Sequence, residues 1–205
     1  MRNLFAAAIV LAAGSIAAAD VSHYLMAVDN TGGYGDAQLP TTADHYTWDL
    51  MINVSGGDDW TSSAADVVLT AGTFYQHPFG GDTEPNSALF ASFPGLEYDT
   101  FFASPPALFD NVNPGFASGP DWTDTTVSAT WFDTPDDGDG VYTIARFTIY
   151  APSVPGNGIV GNITGSSTAK LTGGDLLPFD LNFVVPAPGT AALLGLAGLA
   201  VRRRR

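Results

Sequence analysis

The sequence predicts an all-β protein: a single antiparallel β-sandwich, built as a jelly roll or as an immunoglobulin-like Greek key. Two observations predict this class. Residues with opposite polarity alternate with period 2 in most central segments, and loops rich in Gly, Pro, Asn and Asp separate these segments. No segment of residues 20–185 shows a capped helical period, and strands without intervening helices favour antiparallel sheets packed face to face.

The clearest strand covers residues 46–54. Its apolar and aromatic residues alternate with Thr47, Asp49, Met51 and Asn53 until a turn cluster begins at Ser55. The other predicted strands lie at residues 24–28, 67–75 with a bend near Gly72, 96–102, 127–131, 141–150 and 179–185.

The loops between these strands differ greatly in length. Residues 77–94 and 104–120 are predicted as long loops, which on sandwiches often carry binding surfaces. The tripeptide Asp-Trp-Thr occurs at 59–61 and again at 121–123, each time shortly before a predicted strand. This repetition of the tripeptide is either a coincidence or a sign of a turn that is repeated at the entry to two strands.

The charge of the chain is strongly negative. Of its 21 acidic and seven basic residues, only Arg146 and Lys170 among the basic ones lie in residues 20–185. Such a surface repels nucleic acid and anionic headgroups, and it suits divalent cations, salty surroundings or solubility. Cysteine is absent, which excludes disulfides, thiolate metal sites and a cysteine nucleophile.

The first residues have the composition of a secretory signal peptide. Arg2 provides a positive start, residues 4–11 an apolar core, and residues 17–19 an Ala-Ala-Ala cleavage site before Asp20. The sequence therefore predicts a signal peptide over residues 1–19 and an acidic domain over residues 20–185.

The last segment, residues 186–205, has three parts. Pro186 and Pro188 are expected to separate it from the domain. The apolar run 191–201 is shorter than the roughly 20 residues that span a bilayer stably, and the arginines that follow stay in the cytoplasm. A temporary stop in the inner membrane during export fits this pattern. A buried C-terminal helix is the alternative, against which the consecutive arginines argue.

This segment resembles the PEP-CTERM sorting signal of exported proteins in Gram-negative environmental bacteria. That signal combines Val-Pro-Glu-Pro and a small residue with an apolar helix and an arginine cluster. Ala187 stands where the family usually has Glu, and the matching residues are Pro186, Pro188, Gly189, Arg202, Arg203, Arg204 and Arg205. The resemblance covers about a tenth of the chain. It implies export machinery, an exosortase-like processing enzyme acting near residues 186–189, and delivery to the cell surface or extracellular matrix.

An acidic loop at residues 133–140 is the strongest candidate for a metal site. It carries Asp133, Asp136, Asp137 and Asp139, and closely spaced carboxylates are ligands that calcium prefers. Neither glycine register of the loop gives an EF-hand. The alternative is a plain hairpin turn between the strands of Trp131 and Tyr142.

Other motifs argue against catalysis. Gly156, Gly158 and Gly161 match G-x-G-x-x-G, but no helix former follows, so a loop and the start of a strand are predicted. His23, His45 and His77 form no ligand pair and are expected to be surface or packing residues. No G-x-S-x-G elbow occurs, and no carboxylate pair stands out among the acidic residues. The sequence therefore predicts no enzyme.

Three aromatic residues fall in or beside loops: Trp60, Phe116 and Trp122. They are candidates for stacking on sugars or for anchoring their loops, whereas Trp48 and Trp131 are expected in the core. Together these patterns predict a structural or adhesive component of the envelope or matrix. The alternatives are a calcium-dependent carbohydrate-binding module for extracellular polysaccharide and a secreted hydrolase.

Overall fold

The computed structural model describes residues 21–30, 36, 44–110, 112–134, 137–152 and 158–187. In these residues the protein is all-β, which confirms the predicted antiparallel sandwich. The strands are β1 Val21–Val28, β2 His45–Val54, β3 Asp59–Leu69, β4 Thr73–Phe74, β5 Phe101–Phe102, β6 Gly115–Trp122, β7 Thr126–Phe132, β8 Gly140–Tyr150, β9 Ile159–Lys170 and β10 Leu176–Pro186.

The strands form two five-stranded sheets. Sheet A has the order β1-β2-β8-β4, and β5 also pairs with β8. Sheet B has the order β10-β9-β3-β7-β6. All pairings between named strands are antiparallel. The chain forms hairpins at β1–β2, β6–β7 and β9–β10 and otherwise crosses between the sheets or spans the long segment from β4 to β5.

The core lies between the sheets and contains the apolar residues that the alternating pattern points inward. Trp48 of β2 and Trp131 of β7 are fully buried, as predicted. Phe102 lies beside both Trp131 and Phe147, with ring centroids 4.7 Å and 6.1 Å away. Tilted and edge-on ring contacts of this kind add to the stabilisation from burial.

The segment from β4 to β6 covers the outer side of β2 and β8. Trp48 and Leu50 point into the core, so Asp49 between them points to the opposite face. Asp49 is nevertheless buried, because Arg146 lies against it, and the rings of Phe101 and Phe109 lie against Arg146 in turn. The long loop predicted at residues 77–94 therefore belongs to a covering layer, which includes the 3₁₀ helices Ser87–Leu89 and Pro94–Tyr98.

The prediction of one bent strand at residues 67–75 is wrong. β3 ends at Leu69 in sheet B, and β4 pairs with β8 in sheet A. The chain changes sheets at Gly72, whose φ is +82°. A Cβ at this position would meet the carbonyl oxygen of Tyr150 and lie 2.8 Å from Ala151 Cβ. The crossing therefore requires glycine.

The predicted strand at residues 96–102 is also wrong in its first part. Pro94–Tyr98 forms a 3₁₀ helix that begins with a proline, and only Phe101–Phe102 pairs with β8. The apparent alternation arose because Leu96 and Tyr98 are buried from a helical turn. The loop predicted at 104–120 is shorter than expected, since β6 begins at Gly115.

The connection at residues 133–140 is not a hairpin. β7 belongs to sheet B and β8 to sheet A, so the predicted hairpin turn is wrong and the loop crosses between the sheets. The repetition of Asp-Trp-Thr does not mark a repeated strand-entry turn either. Asp59 begins β3, whereas Trp122 ends β6. The strand predicted to begin near Gly161 is confirmed as β9, Ile159–Lys170.

The folded region includes the first residues of the predicted tail. β10 is an edge strand that ends at Pro186, where proline is tolerated. Ala187 is fully buried, and its N–H donates a hydrogen bond to the carbonyl oxygen of Gly158 at 2.8 Å. Within the described ranges no helix is long and apolar enough to cross a membrane. The signal peptide, residues 1–19, and the tail from Pro188 to Arg205 lie outside those ranges.

Candidate functional site

The acidic loop lies at one end of the sandwich, where its carboxylates and backbone bind neighbouring turns. Asp139 Oδ1 accepts a hydrogen bond from Gly57 N at 2.8 Å. The backbone N–H of Asp137 donates to Asp59 Oδ1 at 3.4 Å. The backbone N–H of Asp133 donates to the carbonyl oxygen of Thr61 at 3.1 Å. The loop is therefore fastened to the turn between β2 and β3 and to the start of β3, while Asp136 lies outside the described residues.

Tyr142 is the aromatic centre of this acidic end. Its hydroxyl donates toward two carbonyl oxygens, that of Asp137 at 3.0 Å and that of Gly138 at 3.2 Å. Burial raises the pKa of this phenol, and the charges of Asp137, Asp139 and Asp59 raise it further. The negative charges of three carboxylates therefore lie close to a single phenol. Their sum gives this end of the domain a negative electrostatic potential.

The adjacent turns are joined by the same kind of bond. Asp58 Oδ1 accepts from the backbone N–H of Thr172 at 3.0 Å, and the hydroxyl of Thr172 donates to the carbonyl oxygen of Gly56 at 2.9 Å. These bonds connect the β2–β3 turn to the β9–β10 turn. Among the described residues, no three His, Asp or Glu side chains converge in a way that could hold a metal ion. Instead, Asp139, Asp59 and Asp58 accept hydrogen bonds from backbone N–H groups of neighbouring segments.

A buried ion pair forms a second polar centre, which the sequence did not predict. Arg146 Nε donates to Asp49 Oδ1 at 2.7 Å, and Nη2 donates to Asp49 Oδ2 at 2.8 Å. Arg146 Nη1 donates to the carbonyl oxygen of Glu97 at 2.8 Å. The guanidinium carbon lies 5.7 Å and 5.5 Å from the ring centroids of Phe101 and Phe109. The arginine thus joins the covering layer to sheet A, in addition to the pairing of β5 with β8.

Glu84 lies in the same layer. Its Oε2 accepts a hydrogen bond from the backbone N–H of Phe109. Burial raises the pKa of this carboxyl to about 7, although the Phe109 N–H and the Arg146 charge act to lower it. Glu84 therefore changes protonation near neutral pH while holding the loop that precedes β6.

Asp99 secures the start of the long segment. Its Oδ1 accepts from the backbone N–H of His77 at 2.7 Å, and its Oδ2 accepts from that of Gly81 at 3.2 Å. Burial raises the pKa of this carboxyl to about 7, against the opposing effect of these N–H donors. A Cβ at Gly80 would overlap Asp99 Oδ2, so the turn must pass the carboxylate with a glycine.

The three histidines have packing roles, as predicted. Burial lowers the pKa of His23 to about 4, and its ring lies 6.1 Å from that of Phe179. His77 is buried and accepts a hydrogen bond at Nδ1 from the backbone N–H of Phe79 at 3.1 Å. His45 lies against Tyr150, with ring centroids 4.8 Å apart.

The aromatic residues proposed to stack on sugars are packing residues. Trp60 was expected in or beside a loop, but it lies in β3 with 1% of its surface exposed. Its Nε1 contacts the hydroxyls of Ser63 and Ser167 at 3.1 Å and 3.2 Å. Phe116 lies edge-on to Phe102 at 5.9 Å. Trp122 is half-buried and donates from Nε1 to Asp82 Oδ1 at 2.8 Å.

Comparison with known proteins finds neither a family model nor a curated sequence that matches this chain. Its function is therefore argued from its own residues. The polar groups that the sequence missed could be recognised only through long-range contacts, since Asp49 and Arg146 are 97 residues apart. The local signals were weak: one acidic residue inside β2 and one basic residue inside β8.

Proposed function

We propose that this chain is an exported protein, displayed at the cell surface or in the extracellular matrix, in which the sandwich has a structural or adhesive role. One observation carries the proposal. Every described strand lies between Val21 and Pro186, so the two segments with export and sorting character flank the fold. Removal of the residues before Val21 and beyond Ala187 would leave all of these strands in place.

The charge distribution supports a role outside the cell. Arg146 is buried against Asp49, so Lys170 is the one exposed basic side chain of the described domain. Exposed acidic residues lie on sheet B and in the segments between strands, among them Asp66, Asp29 and Asp110. Such a surface keeps a domain soluble and repels nucleic acid and anionic headgroups.

The junction with the tail limits where processing can occur. A protease binds the segment that it cuts in an extended conformation. A segment that is already paired in a β-sheet must therefore unfold locally before it can be cut. Val185 and Ala187 are buried, and Ala187 N–H is bonded to Gly158. We therefore expect the exosortase-like enzyme to cut beyond Ala187, which leaves the first two residues of the tail with the domain.

Fractionation of cells that express the full chain tests this proposal. An epitope tag inserted at Gly173, where nothing lies within 4 Å of an added Cβ, would report the location of the chain. We expect the mature protein to be found outside the cytoplasm. Mass spectrometry should show that it begins near Asp20 and ends beyond Ala187. Replacement of Arg202 to Arg205 by alanine should prevent this processing. Cytoplasmic protein that retains residues 1–19 would contradict export.

Calcium binding at the acidic end is a second proposal. Asp133 Oδ2 is buried without a hydrogen-bond partner, and several carboxylates act on Tyr142. A cation that binds only the folded state raises the melting temperature as its concentration increases. We expect a saturable increase with calcium that Asp139→Asn reduces, whereas Asp175→Asn in the β9–β10 turn serves as the control. An unchanged melting temperature at millimolar calcium would contradict the proposal.

A further inference from the structure

The outer face of sheet B carries a groove of about 550 Å³. Strands β6, β7, β3 and β9 all contribute to it. Its outward-facing lining residues include Asp66, Val68, Asp121, Ser128 and Thr164. It therefore lies on the opposite side of sheet B from the core.

The polar residues of the groove form one row across the sheet. Asp121 pairs with Ser128, Ser128 with Asp66, and Asp66 with Thr164. Directly paired residues project from the same face of a sheet. Their neighbours Val67 and Val127 are buried in the core, so this row faces outward. All four row residues are exposed.

The charges of the groove select against anionic ligands. Two carboxylates line it, and no Lys or Arg is among its described lining residues. Lys170 is six residues beyond Thr164 in β9, which corresponds to about 20 Å along a strand. An anionic polymer would therefore meet uncompensated repulsion here.

The spacing of the carboxylates also disfavours a shared cation. Asp66 and Asp121 lie on strands separated by β7, which places their backbones about 10 Å apart. Calcium requires several oxygen ligands at roughly 2.3–2.6 Å from one point. Separate carboxylates along a groove are instead suited to accept hydrogen bonds from a series of hydroxyl donors.

The groove also offers apolar surface. Val68 is 47% exposed, and it projects from the same face of β3 as Asp66, two residues away. Trp122 pairs with the buried Val127, so its indole faces the core, where it packs edge-on against Phe74 at 5.6 Å. Apolar surface beside hydroxyls and carboxylates suits sugars, which present C–H faces together with hydroxyl groups.

We propose that this groove binds a segment of neutral polysaccharide without calcium. Asp66 and Asp121 accept hydrogen bonds from sugar hydroxyls, Ser128 and Thr164 exchange hydrogen bonds with them, and Val68 contacts a sugar face. This ligand deepens the adhesive part of the proposed function and rests on it. The site is distinct from the acidic loop at residues 133–140, which lies at the ends of the strands.

Isothermal titration of the purified full chain in EDTA tests the proposal. The probes are soluble neutral polysaccharides, namely a β-glucan, a mannan, a galactan and a xylan, with alginate as the acidic probe. We expect at least one neutral probe to bind, and alginate not to bind. Asp66→Ala combined with Asp121→Ala should weaken the binding at least tenfold, and Ser128→Trp should block it by filling the groove.

Asp180→Ala provides the matched control. Asp180 is exposed on β10 of the same sheet, outside the groove. This variant should bind as the unchanged chain does, and all variants should retain its melting temperature. Binding to none of the neutral probes in EDTA, or equal binding by the double alanine variant, would each overturn the proposal. Export and display are measured by fractionation, so their outcome is independent of this result.

Discussion

The Arg146→Met substitution removes the charge that joins the covering layer to sheet A. Both side chains of the pair are almost fully buried, with 5% of Arg146 and 1% of Asp49 exposed. Methionine fills part of the same volume, so the main loss is of the two bonds to the Asp49 carboxylate and of the bond to the Glu97 carbonyl. The substitution leaves a buried carboxylate without its counter-ion.

The expected cost follows from that orphaned charge. Breaking a buried ion pair by removing one partner destabilises proteins by about 3–5 kcal/mol. Domains of this size have a total free energy of unfolding of about 5–15 kcal/mol. Arg146→Met should therefore remove a large share of the stability. Replacing both partners, as Arg146→Met with Asp49→Leu, should restore most of it, because no buried charge remains.

Urea unfolding followed by tryptophan fluorescence measures this effect. Trp48, Trp60 and Trp131 are all buried, so their emission reports the loss of the core. Lys170→Met is the matched control, because it removes the exposed basic side chain and should change the free energy of unfolding by no more than about 0.5 kcal/mol. A loss below about 1 kcal/mol for Arg146→Met would refute the reasoning. So would a double variant as unstable as the single one.

Three further substitutions test other contacts. Folding raises the pKa of Glu84 from 4.5 to about 7, so its contribution to the free energy of unfolding is fully present below pH 4.5 and is lost as the pH rises through 7. Glu84→Gln should therefore show a smaller fall in melting temperature between pH 5 and pH 8 than the unchanged chain, and an equal fall would contradict this. Ala187→Asp places a charge in the core and should cost at least about 2 kcal/mol in urea unfolding, whereas Val184→Asp, at a position 47% exposed, should cost much less. Gly72→Ala should lower the melting temperature more than Gly174→Ala, because both glycines have positive φ but only Gly72 has neighbours that a Cβ would meet. Similar decreases would show that the strain of positive φ, and not the contacts of the Cβ, accounts for the loss of stability.

The sequence predicted most strands because alternation is a local property. β2 could be recognised from residues two apart and β8 from its density of β-branched and aromatic residues, and both strands are confirmed. The prediction failed at Gly72, because the same run of apolar residues suits one bent strand or two strands in different sheets. It failed again at Pro94–Tyr98, where two buried residues of a 3₁₀ helix imitate an alternating strand.

The polar centres were harder to predict than the strands. The sequence singled out Asp137 and Asp139 because they are close together in the chain, and the structure shows them near Tyr142. Arg146, Asp49 and Glu84 were missed as a group because Asp49 and Arg146 meet only when β2 pairs with β8, and Glu84 joins them only when the covering layer folds onto sheet A. Which of many carboxylates becomes buried depends on tertiary contacts that no local pattern records.

The scarcity and placement of basic side chains has a consequence for degradation. Trypsin-like proteases cut after Lys or Arg, and between residues 3 and 201 the chain offers them only Arg146 and Lys170. Arg146 is enclosed in β8, and Lys170 is paired in β9 with β3 and β10. Cleavage requires the strand to leave its sheet first, so its rate depends on opening of the fold. A domain exposed to such enzymes outside the cell would be a poor substrate for as long as it stays folded.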